Sequence, residues 1–286
     1  MDNNDDFYTP PNSDLHGEPS SEPPPSASMP SDFSAPNNIS ELLSTFVDFY
    51  PKLLAPLISV SLPLGLIYAL QEGFNALIAP NAGLLLSLLI GVITFLAGTY
   101  FWCVAVHQVD DIFRGGDGEQ TPWDRGTARF IPILITLFIV FIVSGVGLIM
   151  CIIPGVVALF FLLVAEFPVV LENKKPIDGL KRSTELIKND LGFTFGAYML
   201  LGSAGIVLAF SLAALLMLIG QPLDAESQQL MIATLMVPLI IFLYPAGMAI
   251  NYLLYQGLLA REAERHHQEP AAPAPTPHHD DDPPAY

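Results

Sequence analysis

The sequence predicts an all-α integral membrane protein with six transmembrane helices, an interfacial amphipathic helix between spans four and five, and disordered tails. Three observations carry that prediction. The chain is 52% hydrophobic and only 14% charged, where a soluble domain carries about 25% charged residues. Its apolar residues gather into runs close to the roughly twenty residues needed to cross ~30 Å of hydrocarbon. All 11 Lys and Arg residues fall on one side of the topology these runs define.

The ends of the chain are read first. The net charge of −17 is concentrated there: Met1 to Ser40 holds seven Asp or Glu, no Lys or Arg, and recurrent proline. Such a segment cannot bury enough apolar surface to offset the entropy of ordering it. Residues 1–45 are therefore expected to be an acidic, Pro-rich disordered tail, and residues 261–286, rich in His, Pro and Asp, a second one. Residues 46–260 form the membrane domain. The N-terminus lacks the basic start and apolar core of a signal peptide, so targeting rests on the first span.

The spans follow in order. Leu53 to Leu70 is the first and Ala82 to Val106 the second. From Phe130 to Leu171 the only charged residue is Glu166. That run is long enough for two helices, and it divides near "GLIMCIIPG" into spans over 130–149 and 154–171. Pro154, followed by Gly155, opens the fourth span, because a first-turn residue needs no N–H partner. Leu191 to Ile219 and Met231 to Tyr255 are the fifth and sixth. "TPWDR" reads as a helix start, with Thr121 as N-cap, Pro122 at the first position and Asp124 near the positive end, leading through a short interfacial helix into span three. Pro56, Pro63, Pro238 and Pro245 predict kinks. Gly192, Gly196, Gly202, Ser203, Ala204 and Gly205 predict close helix packing, within the chain or in a dimer.

Cations set the orientation. Lys52, Arg114, Arg125, Arg129, Lys174, Lys175, Lys181, Arg182, Lys188, Arg261 and Arg265 lie in the tails and two loops of one face, and the three opposite loops contain none. Basic loops are cytoplasmic, so both termini are too. Tyr50, Tyr100, Trp102, Trp123, Tyr198, Tyr252 and Tyr255 fall at the same ends, as an aromatic belt would. Cys103 and Cys151 are placed near opposite faces, too far apart for the roughly 4.4–6.8 Å Cα separation of a disulfide, and are read as packing residues.

Motifs of soluble catalysis are absent: there is no GxxxxGK[ST], GxGxxG, HExxH or GxSxG. "RGGDGEQ" is read as a flexible turn. His266, His267, His278 and His279 with Asp280, Asp281 and Asp282 lie in a tail that lacks the fixed geometry of a metal site. No metal, cofactor or nucleic acid is expected. His107, at the end of span two, is assigned an interfacial hydrogen bond.

Glu166 is the candidate intramembrane polar site, with Arg182 as its candidate partner. At 1.5 Å per residue it lies about 18 Å along the helix from Pro154. An ionised carboxylate in hydrocarbon is costly, so this one must face the bundle, take a partner or carry its proton. Two roles stay open: a proton or cation relay, and a structural anchor to another span or to a cation such as Arg182. The segment Pro176 to Asp190 follows, with Ile177, Leu180, Thr184, Ile187 and Leu191 on one helical stripe. Lys181, Arg182 and Lys188 lie on the other flank, and Asp178 with Arg182 forms an i,i+4 pair. This is the pattern of a helix lying in the membrane surface against anionic headgroups.

The stretch "IIPGVVALFFLLVAEFPVVLENKKPIDGLKRSTELIKND" resembles a broad bacterial family of six-span membrane proteins that includes the membrane domain beside some glycerophosphodiester phosphodiesterases. The matching positions are Pro154, Gly155, Glu166, Pro168, Glu172, Arg182 and Ser183, with Gly179 where such segments usually have alanine. The resemblance implies a six-span fold in a bacterial cytoplasmic (inner) membrane and brings no catalytic residues with it. The expected function is non-enzymatic, in membrane organisation or as a partner subunit. The alternative is a transporter or permease-like protein using Glu166. Expected partners are the lipid bilayer, anionic lipid headgroups, and a second copy or another membrane protein.

Overall fold

A computed structural model describes residues 35–77, 79–116, 120–220 and 224–268. These form helices α1 (Ile39–Leu77), α2 (Ala79–Arg114), α3 (Pro122–Met150), α4 (Ile152–Leu162), α5 (Glu166–Val170), α6 (Pro176–Asn189), α7 (Leu191–Gly220) and α8 (Ala225–Gln268), with no strand among the described residues.

Five helical stretches among the described residues are long and apolar enough to cross a membrane: Ile39–Asn75, Leu84–Arg114, Pro122–Met150, Ile152–Val170 and Leu230–His267. Leu191–Leu200, within α7, registers as a shorter apolar helix. In the most apolar windows of the five, only 11–33% of residues are buried. Most of their apolar side chains therefore face outward, and Leu85, Phe141, Ile149 and Met150 are among the most exposed.

The first and last helices are longer than the sequence pattern suggests, which corrects both tail boundaries. α1 starts at Ile39, inside the segment expected to be a disordered tail. The Asn38 side chain accepts from the Glu41 N–H at 2.8 Å and donates back to the Glu41 carboxylate at 2.8 Å. This reciprocal cap supplies partners to an otherwise orphaned helix start, and Leu42, in the next turn, is 1% exposed. α8 continues to Gln268, past the expected limit at 260, because Arg261, Glu262 and Arg265 find partners on neighbouring elements. Residues 1–34 and 269–286, which hold the rest of both tails and the His278–Asp282 cluster, lie outside the described residues.

Among the described residues, the most extensive contact is between α1 and α8. The dense core sits at the end of the bundle where α2 and α8 finish. Leu53, Leu57, Val104, Val109, Ile133, Val169, Leu253 and Leu258 are fully buried there. A column of rings runs through it: Phe49–Phe113 at 4.7 Å, Phe113–Tyr252 at 5.1 Å and Phe167–Tyr255 at 5.2 Å between centroids. Tyr252 and Tyr255 thus leave the expected aromatic belt. They are 1% and 0% exposed because their hydroxyls reach the partly buried carboxylates of Asp110 and Glu172.

At the opposite end, α3 and α4 form a hairpin around Cys151. A Cβ built on Gly147 would lie 2.8 Å from the Gly155 Cα, so these two backbones touch, as small residues permit in lipid. α4 begins at Ile152, two residues before the expected start, and Pro154 still lies in its first turn. Cys151 is exposed on the turn rather than packed, whereas Cys103 is buried, and both are free.

α3 runs as one helix from Pro122 with no separate interfacial piece. The Thr121 hydroxyl accepts from the Asp124 N–H at 3.2 Å, as its sequence predicts. Gly115, at φ 71°, ends α2 in the left-handed conformation that favours glycine. Helices α1, α3 and α8 continue through their internal prolines.

The broken fourth span and its polar layer

The fourth span is interrupted. Between α4 and α5 the N–H groups of Leu163, Ala165 and Phe167 reach back three residues, to the carbonyls of Phe160 (3.4 Å), Leu162 (3.1 Å) and Val164 (3.2 Å). Pro168 explains part of this. It has no N–H for the Val164 carbonyl, which Phe167 takes instead. Tightening the turn diverts Ala165 from the Phe161 carbonyl, and the Ser183 hydroxyl of α6 donates to that carbonyl at 2.8 Å. α6 can approach this closely because residue 179 is glycine. A Cβ there would lie 2.4 Å from Val169 Cγ2 and 3.2 Å from the Ala165 carbonyl oxygen.

The docking face of α6 therefore differs from the expected stripe. Gly179, Ser183, Leu186 and Ile187 are buried, while Ile177 is 60% exposed and Leu180 and Thr184 are half-buried. Only Ile187 is shared. The expected stripe maximised apolar character, whereas the packed face is set by the glycine and the serine that fit the break.

Glu166 is the first residue of α5 and half-buried. Among the described residues its carboxylate makes no hydrogen bond or ion pair, with Arg182 or with any other group. Cys103, Tyr198 and Tyr244 lie within electrostatic reach of it. Tyr198 donates to the Asn251 side chain at 2.8 Å, and the buried Tyr244 hydroxyl has no partner among the described residues.

Arg182 is engaged elsewhere. It lies 3.6 Å from Glu172 and makes a two-pronged pair with Glu262 of α8. The expected i,i+4 pair with Asp178 is replaced by this fork, because a carboxylate that accepts two guanidinium N–H groups holds arginine better than a surface pair. Glu172, just after α5, also accepts from the Tyr255 hydroxyl and pairs with Lys174 at 3.0 Å. Burial alone would push the Glu172 carboxyl up. The Tyr255 hydroxyl, Lys174 and Arg182 outweigh it and hold the group below its ordinary value. Asn173 takes φ 61°, and the Lys174 N–H reaches back to the Pro168 carbonyl at 3.2 Å, closing the α5 terminus.

The same end of the bundle carries three more ionic ties. Asp110 accepts from the Tyr252 hydroxyl at 2.6 Å and pairs with Arg114 at 3.0 Å. Asp111 pairs with Arg125 of α3. Asp190, between α6 and α7, holds both Arg261 and Arg265 of α8, with its side chain only 8% exposed. Arg261 also lies 4.4 Å over the Phe193 ring. Together these groups form a polar layer joining α2, α3, α6 and α8.

The remaining candidate residues are more dispersed. Lys181 and Lys188 are exposed on α6 and have no ion pair among the described residues. His107 does not make the expected interfacial bond: it is 5% exposed, with both ring nitrogens unpartnered. His266 and His267 are exposed on α8, and no metal-capable cluster occurs among the described residues. Of the small residues, Gly196 packs on Ile39, while Gly192 and Gly205 face open space. The side chain of Ala204 lies outside the described residues, as do positions 117–119 of the expected turn.

Long apolar helices with outward-facing apolar side chains, tied by an ionic layer at one end, define a multi-pass membrane protein. No family model, curated protein or solved structure matches the chain in any of the three comparisons.

Proposed function

We propose that the chain is a six-span protein of a bacterial cytoplasmic membrane, with both tails in the cytoplasm, acting without catalysis in membrane organisation or as a partner subunit. α7 serves as the fifth of six crossings, with 30 residues from Leu191 to Gly220. α6 lies in the inner surface, presenting Lys181 and Lys188 to anionic headgroups. The resemblance of the fourth-span stretch to the six-span bacterial family belongs to this proposal. The observation that carries it is the polar layer: Glu172, Arg182, Asp190, Arg261 and Glu262 tie successive elements together at the cytoplasmic end. A rocking mechanism would have to break these ties in every cycle, whereas a scaffold profits from them.

Crosslinking in native membranes tests the proposal. A reproducible partner or self-association is expected, and recovery of monomer alone would sink it.

One observation favours a second reading, a permease-like transporter. Among the described residues Glu166 stands without a partner at a break in a membrane helix, where transporters place coupling sites. In reconstituted vesicles that reading requires a solute or proton flux, and Glu166→Gln must abolish it in folded protein.

A further inference from the structure

A cavity of about 250 Å³ lies between the end of α2, the start of α3 and the segment after α5. Its polar lining is His107, Asp110, Gln120, Arg125, Arg129 and Asn173. This volume is just below the ~300–1,000 Å³ of small-molecule pockets, so it suits a small polar group rather than a whole lipid or nucleotide.

The charges of the described residues around it do not cancel. Asp110 is taken up by Arg114 and the Tyr252 hydroxyl, and Arg125 is answered by Asp111. Arg129 has no acid partner among the described residues, so the described lining carries one cation in excess. Its unmet hydrogen-bonding capacity is also mostly donor. The buried Arg125 Nε–H has no acceptor, and both His107 nitrogens are unpartnered, at least one of them carrying a proton in any state of the ring. Gln120 and Asn173 add two amides at the rim. Buried donors without acceptors are costly, and each such group in a native protein calls for a partner. A site whose described lining carries one excess positive charge and several side chains bearing N–H groups is complementary to a tetrahedral oxyanion of single charge.

We propose that this cavity binds a phosphate monoanion, either the phosphodiester of an anionic lipid headgroup or free dihydrogen phosphate, with Arg129 supplying the charge and His107 and Arg125 the buried donors. The cavity argument stands apart from the functional reading above. Only the lipid source rests on it, because that reading puts this end of the bundle at the inner headgroup layer.

The test uses the full chain purified in neutral detergent, titrated separately with inorganic phosphate and with phosphatidylglycerol in mixed micelles, using phosphatidylcholine as the zwitterionic control. Saturable binding is expected, weakened at least tenfold by Arg129→Gln and left unchanged by Lys52→Gln on α1, which is exposed and does not line the cavity. Binding of phosphatidylglycerol alone assigns the site to a headgroup. Binding of inorganic phosphate as well assigns it to the free anion. The wild-type chain provides a check that needs no variant, since a ligand that binds only the folded state raises its unfolding temperature. No saturable binding and no such rise with either probe would overturn the site. So would equal losses in Arg129→Gln and Lys52→Gln, which would reduce the effect to general surface charge.

Discussion

The Ser183 hydroxyl donates to the Phe161 carbonyl at 2.8 Å, meeting a backbone acceptor released where the fourth span breaks. The bond joins two features that are local in sequence and far apart in consequence: a proline-containing apolar helix that cannot continue, and a polar helix that must dock against it. Ser183→Ala removes the donor and leaves a buried carbonyl unmet, at a cost of about 1–3 kcal/mol. A lower unfolding temperature in detergent checks this, and an unchanged midpoint would show that another donor reaches Phe161.

Gly179→Ala tests the close approach on the same face. The added methyl would sit 2.4 Å from Val169 Cγ2, and overpacking of this kind costs about 1–3 kcal/mol. Val169→Ala in the same chain should recover part of the loss. If Val169→Ala instead compounds the loss, α6 is held by something other than this contact.

The Glu172 cluster makes stability depend on pH. Its carboxyl sits below the ordinary value because Tyr255, Lys174 and Arg182 outweigh burial. The folded state therefore binds the proton less readily than the unfolded chain. The stabilisation is fully present above the unfolded value and is lost as pH falls through the folded one. Unfolding midpoints measured from pH 7 down to about 3 should fall across the carboxylate range. Tyr255→Phe, which removes one of the lowering partners, should make that fall smaller and complete it at higher pH. An identical profile would remove Tyr255 from the account.

Asp190→Asn strips the charge that two arginines share. With the Asp190 side chain 8% exposed, the change should cost on the order of 2 kcal/mol, as for hydrogen bonds to buried charged groups. It should also loosen the end of α8, which proteolysis near Arg261 and Arg265 would report. Protection equal to that of the unaltered chain would mean that Phe193 and Asn189 hold these arginines by themselves.

Topology can be read from a native thiol. Cys151 is exposed on the α3–α4 turn and Cys103 is buried. If both tails are cytoplasmic, a membrane-impermeant maleimide should label intact cells at Cys151, and Cys151→Ser should abolish the signal. Labelling seen only in inverted vesicles would reverse the orientation.

Several features of this fold are written in short stretches of chain. Thr121, Pro122 and Asp124 make a helix start because a hydroxyl, a missing N–H and a carboxylate each answer a local need of the first turn. The cap formed by Asn38 and Glu41 is just as local, but it sits within an acidic, proline-rich composition that masks it. The late end of α8 is less visible, since Arg261 and Arg265 extend the helix by reaching Asp190, about seventy residues away. The face of α6 could not be read from periodicity. Its apolar stripe and its packed face share Ile187, and only contact with Val169 and Phe161 selects Gly179 and Ser183. The same applies to Arg182, for which sequence spacing offers Asp178 and the fold supplies Glu262.

Composition, run length and the distribution of cations determine by themselves that this chain is helical and multi-pass, because lipid leaves the backbone few ways to satisfy its own hydrogen bonds. The tertiary structure alone decides which charges meet. Among the described residues Glu166 is left without a partner while Glu172 is given three, since ion pairing depends on angstroms between elements that sequence distance does not encode.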